Sequence, residues 1–230
     1  ILLEDYLIKL KPQCIIFLIG LNDMEREKKD VFLLYDQTTL ETFRGKLKNA
    51  LLNSEIVGVL ANVYRKWNTN VDVMDNILDW KFENSKHLSV SEDVMQKNEQ
   101  DIKEKFIPDF KDRISELGVI CKENNIVPVF MTQTLPYGNL MDPTTKINMA
   151  TAQFSDGVNG EFINRKLNLY NKALIETCIE DGYSYIDLAS SFPKDTKYYY
   201  DPMHYTIEGN KHVANFISEE LISQGIILKN

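Results

Sequence analysis

Ile126 to Thr132 reads IVPVFMT, six apolar residues closed by a threonine, with Asn124-Asn125 before it and Gln133-Thr134 after it. A short run that is apolar on both faces suits a strand covered from above and below in a parallel sheet. Gln13 to Ile19 (QCIIFLI) has the same character, and Tyr183 to Leu188 (YSYIDL) is a third strand signal. Between and after these runs the apolar residues change period. Phe106, Phe110, Ile114, Leu117 and Cys121 recur at spacings of three or four, as do Ile163, Leu167, Tyr170, Leu174 and Cys178, and each set lines one helix face. Leu40, Phe43, Leu47 and Leu51 repeat the pattern, and a last helix from about Ile207 to Ser223 carries Val213, Ala214, Ile217 and Leu221. Gly182 stands where a left-handed helix cap is wanted, and Asn124-Asn125 end the earlier helix. Alternating strands and amphipathic helices predict a doubly wound, flavodoxin-like parallel sheet with helices on both faces, spanning residues 1–230 as a single domain. Ser54 to Trp67 is β-branched in composition yet apolar at helical spacing, and is read as a helix. Asn68 to Leu88 and Gly138 to Gly160 are long polar stretches, of the kind that borders a ligand crevice beyond the carboxyl ends of strands.

The chain has 230 residues and a mass of 26.7 kDa, enough for a substantial core. Acidic side chains exceed basic ones by 34 to 26, giving a formal charge of -8, and Lys and Arg form no run. Nucleic acid and anionic membrane surfaces are therefore not expected partners. The longest apolar run, Cys14 to Ile19, is far below the roughly 20 residues of a membrane-spanning helix, so no transmembrane segment is expected. Cys14, Cys121 and Cys178 have no CxxC spacing and sit in apolar surroundings, which argues against a disulfide framework or a zinc site. No cofactor is called for, and the compartment and oligomeric state are not encoded in these features. The opening ILLEDYLIKLKP has the look of a helix end rather than a signal peptide, and is read as a cut.

Two segments carry polar residues suited to chemistry. The first strand runs into Gly20-Leu21-Asn22-Asp23, where a glycine permits a sharp exit and the Asn22 amide can meet negative charge on an acyl oxygen. A plain turn accounts for the same residues. Downstream, Asp201-Pro202-Met203-His204 immediately precedes the final helix. His87 lies in a polar stretch with Ser and Lys neighbours and His212 lies mid-helix beside Lys211, both solvated positions. His204 instead follows an acid by three residues, and a carboxylate there can hold an imidazole in one tautomer and stabilise it when protonated. Gly20, Asp23 and Gln133, the last at the exit of the second strand, are expected to line the substrate site. Tyr64, Trp67 and Tyr198, Tyr199 and Tyr200 are candidates for stacking on a sugar, with core packing as the competing role. A metal site needs three or four ligands, and no second cluster at ligand spacing accompanies His204.

GLND followed far downstream by DPMHYTIEGNKHVA resembles the SGNH, or GDSL, hydrolases. The resemblance extends in order through IVPVFMT, INRKLNLYNKALIETCIEDG and YSYIDLA. It implies an ester hydrolase of a small-molecule or carbohydrate ester, with Asn22 in the oxyanion hole and Asp201 and His204 as acid and base of a Ser-His-Asp triad. Asp187, a rival carboxylate, is left outside the triad with a packing or hydrogen-bonding role. The family's Gly-Asp-Ser segment and second oxyanion glycine precede the Gly-x-Asn-Asp strand and are not found here, and Ser155-Asp156-Gly157 has the wrong order and place. The chain thus looks like the carboxyl-terminal two thirds of such a domain, missing its first strand or strands, inactive alone, and with an unpaired sheet edge beside Gln13 to Ile19. The alternative is a non-catalytic SGNH-like module that binds a carbohydrate or a protein partner. A metal-dependent phosphoesterase would need a ligand cluster that the sequence does not display.

Overall fold

The computed structural model describes residues 3–26 and 81–227. The expected helices through Leu40 to Leu51 and Ser54 to Trp67, with Tyr64 and most of the Asn68 to Leu88 stretch, lie outside the described residues. In chain order the main elements are β1 (Cys14–Leu18), α1 (Glu92–Asp101), α2 (Ile107–Glu123), β2 (Val127–Met131), β3 (Gln153–Ser155), β4 (Val158–Asn159), α3 (Gly160–Asp181), β5 (Ser184–Ile186), α4 (Leu188–Ser191) and α5 (Ile207–Ser223). Strands β1, β2 and β5 form a parallel sheet in the order β1-β2-β5, while β3 and β4 make a separate antiparallel hairpin inside the Gly138 to Gly160 stretch. The architecture is α/β with a parallel three-stranded sheet among the described residues.

Alternation along β2 divides the core. Val129 and Met131 pack with Ile186, with Ile163 and Leu167 of α3 and with Leu221 of α5. Phe130 points the other way, among Phe110 and Ile114 of α2 and Tyr170, Leu174 and Cys178 of α3. Helices therefore cover both faces, as the near-continuous apolar character of β2 requires. Phe130 is fully buried and stacks on Phe17 of β1 at 5.1 Å, and full burial of a side chain of this kind contributes about 1.5–3 kcal/mol. The outer edge of β5 is partly closed, because Gln224 Nε2 donates to the Tyr185 carbonyl at 3.0 Å. Strand β1 pairs only with β2 among the described residues, and Leu18 at its end is exposed. No helix among them is long and apolar enough to cross a membrane.

Local chemistry sets the helix ends. Asn159 caps α3 by accepting from Phe162 N at 2.9 Å, and Gly182 takes the left-handed conformation that ends it, as its position in the sequence suggests. Asn125 is likewise left-handed, at φ 57. Between α1 and α2 lies a π-helical turn, Ile102–Phe106, explained by Pro108: without an N–H, proline cannot donate to the carbonyl of Glu104, so the ladder shifts register just before it. Helix α1 has no apolar stripe, and Met95 is its one buried residue. It is held instead by Arg165 of α3, which bonds Glu92 at 2.8 and 3.0 Å and Glu99 at 2.5 Å.

Helix α2 meets Tyr183 at Gly118, where an added Cβ would stand 2.1–2.6 Å from the tyrosine ring and hydroxyl. Helix propensity alone favours alanine over glycine by about 1 kcal/mol. Overpacking costs about 1–3 kcal/mol, and here the obstacle is a ring held by Lys122 at 4.3 Å and by its own hydroxyl on Ser115 O. Gly118→Ala should therefore lower the urea midpoint, a net loss of up to about 2 kcal/mol. An unchanged or raised midpoint would show that Tyr183 swings aside without penalty.

Candidate functional site

Parallel pairing brings the carboxyl ends of β1, β2 and β5 to one edge of the sheet. At the end of β5, Asp187 accepts from Thr132 Oγ1 at 2.9 Å, and that hydroxyl accepts from Ala189 N at 2.9 Å. Asp187 also caps α4 through Ser190 N at 3.4 Å. Asp187 thus has the hydrogen-bonding role expected of it.

Strand β1 leaves the sheet at Gly20 and turns through a single 3-10 turn, Leu21–Asp23, closed by Asp23 N donating to Gly20 O at 2.8 Å. Asn22 is exposed on this turn. Leu21 N donates to Gln133 Oε1 at 2.7 Å, so the side chain of Gln133 is engaged with the protein's own backbone. A Cβ on residue 20 would stand 2.6 Å from that same oxygen, so a larger residue there would displace the Gln133 side chain from this bond. Asp23 is half-buried on the side of α2: burial raises its carboxyl above the usual range, and the Arg113 and Arg26 charges oppose the shift. Arg113 donates to the carbonyls of Asp23 and Arg26 at 3.4 and 3.3 Å. Glu25, at φ 56, donates its N–H to Tyr170 Oη at 2.8 Å and pairs with Lys166 at 2.8 Å. The segment on either side of Asn22 is therefore tied to β2, α2 and α3.

Asp201 and His204 stand together at the tip of a small hairpin. Its arms are tied by the Tyr199–Tyr205 bridge, by Tyr200 N donating to His204 O at 3.1 Å and by Thr206 N donating to Tyr198 O at 2.9 Å. Asp201 Oδ1 accepts from Met203 N and His204 N, each at 2.8 Å, which bends the tip, and Oδ2 lies 2.6 Å from His204 Nδ1. An ionised carboxylate only accepts, so Nδ1 is the nitrogen that carries the proton in this bond, and in the neutral imidazole Nε2 is the acceptor. The Asp201 side chain is 10% exposed and that of His204 57%, a buried acid behind an accessible imidazole. The ring of Tyr200 stacks on His204 at 5.6 Å and 12°. Tyr199 anchors the hairpin to the exit of β2, its hydroxyl 3.4 Å from Thr134 Oγ1. Tyr137 is buried near Asp201, and both burial and that negative charge push its hydroxyl pKa up.

The structure thus joins Asp201 to His204, and Gln133 to the turn that bears Asn22. Among the described residues, no hydrogen bond joins Asn22 to the Asp201–His204 pair. Of the three consecutive tyrosines, Tyr198 and Tyr199 are core residues around Phe192, and Tyr200 is exposed. Asn171 was missed by the sequence reading; the signal was an amide on the apolar face of α3, adjacent to Tyr170. Among the described residues, no group of three or more His, Cys, Asp or Glu side chains is placed to hold a metal ion. No protein-family model matches the chain, and no curated protein matches it in sequence.

The loop leading to the hairpin depends on Asp142. This buried carboxylate accepts from Thr145 Oγ1 and Thr196 Oγ1, both at 2.6 Å, and from Thr196 N at 2.8 Å. Burial alone would raise its pKa, but the bonds from Thr145 and Thr196 outweigh it and hold the carboxyl below the usual range. A depressed folded value means that the stabilisation is fully present above the unfolded value of about 3.9 and is lost as pH falls through the folded one. Asp142→Asn should therefore reduce stability by about 1–3 kcal/mol at pH 7, and the gap from wild type should narrow below about pH 4. Urea titrations of both proteins across pH check this, and a gap that widens on acidification would contradict it.

Proposed function

We propose that this chain carries the general base and one oxyanion donor of an SGNH-type ester hydrolase, its nucleophilic serine being contributed from sequence upstream of Ile1. The observation that carries the reading is the 2.6 Å bond from His204 Nδ1 to the buried Asp201 carboxylate, behind an imidazole whose side chain is largely exposed. Further support comes from the sheet order β1-β2-β5, which has Gly20-Leu21-Asn22-Asp23 at the exit of one strand, and from the hairpin anchored at the exit of the next. The doubly wound, flavodoxin-like arrangement with further strands beside β1 belongs to this proposal.

In the reaction, His204 Nε2 takes the serine proton as the hydroxyl attacks the ester carbonyl. The Asp201 carboxylate stabilises the imidazolium without itself being protonated. Charge moves onto the carbonyl oxygen, where the Asn22 amide donates to it; loss of one such donor typically costs about 100- to 1000-fold in kcat. The imidazolium then protonates the leaving alkoxide, and neutral His204 activates water to hydrolyse the acyl-enzyme. The exposed Tyr200 beside the imidazole is suited to a sugar or aryl group on the ester.

The test is hydrolysis of p-nitrophenyl acetate by protein expressed with its upstream coding sequence. His204→Ala should abolish nearly all turnover, and Asn22→Ala should lower kcat by about 100-fold or more with the melting temperature kept. Full activity in His204→Ala would overturn the triad in favour of different chemistry, and no turnover by wild type on acetyl and longer acyl esters would replace the enzyme with the non-catalytic module that binds a carbohydrate or a protein partner.

A further inference from the structure

We propose that Gln133 is a positioning residue for the Asn22 amide, with Asn171 as its anchor; the catalytic consequence rests on the ester-hydrolase reading. Backbone pairing between β1 and β2 ends at Leu18 and Met131. Beyond that point the two strand exits are joined by the side chain of Gln133. Its Oε1 accepts from Leu21 N at 2.7 Å, across 112 residues of sequence. Leu21 opens the 3-10 turn, so its N–H has no acceptor within the turn. Gln133 is in effect the cap of that turn, supplied by a neighbouring strand.

Gln133 is itself fixed at both backbone groups by one amide. Asn171 Oδ1 accepts from Gln133 N at 3.1 Å, and Asn171 Nδ2 donates to Gln133 O at 2.8 Å. Asn171 is buried in the middle of α3, between Tyr170 and Ala173 of the core. The relay runs from a rigid helix through Asn171, Gln133 and Leu21 to the residue that bears the amide. Gly20 leaves room for it, since an added Cβ would stand 2.6 Å from Gln133 Oε1 and 3.0 Å from its Cβ. Arg113 and Tyr170 hold the backbone after Asn22, so removal of Gln133 frees the turn at its leading side only.

Positioning and substrate contact predict different kinetics. If Gln133 sets the Asn22 amide, Gln133→Ala should lower kcat about 10- to 30-fold with KM within about two-fold, and Gln133→Glu, which keeps an acceptor oxygen, should recover most of the loss. The double variant Gln133→Ala with Asn22→Ala should be no slower than Asn22→Ala alone, because positioning an absent amide has no effect. Asn171→Ala should reproduce the Gln133→Ala phenotype. An independent arm needs no turnover: amide hydrogen exchange at Leu21 and 15N relaxation of the Asn22 side chain. Gln133→Ala should speed Leu21 exchange about 10-fold or more and mobilise the Asn22 amide, and Gln133→Glu should restore both. Unchanged exchange in Gln133→Ala, a rise in KM without a fall in kcat, or additive losses in the double variant would each overturn the proposal. If no variant and no wild-type protein hydrolyses esters, the enzymatic reading fails, and the exchange arm still decides whether Gln133 fixes the turn.

Discussion

The ladder of a parallel strand stops where its neighbours diverge, and the backbone beyond it must find other partners or face water. At the end of β2 three consecutive residues meet that constraint, each in a different direction. Thr132 bonds Asp187 at the end of β5, Gln133 bonds Leu21 at the end of β1, and Thr134 meets Tyr199 at the root of the hairpin that presents Asp201 and His204. Strand β2, bonded on both edges and covered on both faces, is the rigid member from which the other three are positioned. A polar side chain leaving a buried strand end is costly unless it is bonded, so these ties are both necessary and directional.

The same physics separates carboxylates that shape loops from the one suited to chemistry. Asp142 directs its oxygens at Thr145 and Thr196, and Asp187 directs Oδ1 at Thr132 and Ser190. Asp201 differs in the partner of its second oxygen. One oxygen shapes the turn through two backbone N–H groups, and the other meets an imidazole that reaches solvent. A carboxylate fixed in this way cannot rotate away from the histidine without breaking its own turn. The orientation of His204 relative to Asp201 is thus set by a local structure of four residues.

Much of the architecture was legible because it is local. Period-two and period-3.6 patterns depend on residues a few positions apart, so the three parallel strands and the helices at 107–123, 160–181 and 207–223 could be read directly. The left-handed residues Asn125 and Gly182 were legible for the same reason. Helix α1 was not read, since it has no apolar stripe and is held by the distant cation Arg165. Nor did the run Tyr198 to Tyr200 reveal which ring is exposed, because the burial of Tyr198 and Tyr199 is set by their packing around Phe192.

By itself the sequence determined the strand and helix types and the three-residue spacing that lets Asp201 both turn the chain and reach His204. Only the tertiary structure decided what Gln133 and Asp23 do. A glutamine at a strand exit can face a ligand or a neighbouring backbone with equal chemical justification, and the outcome depends on how closely β1 approaches at Gly20. Asp23 lies beside Arg113 because α2 packs there, 90 residues further along the chain. Contacts of this kind follow from how the strands and helices cross, and no local pattern of residues encodes that crossing.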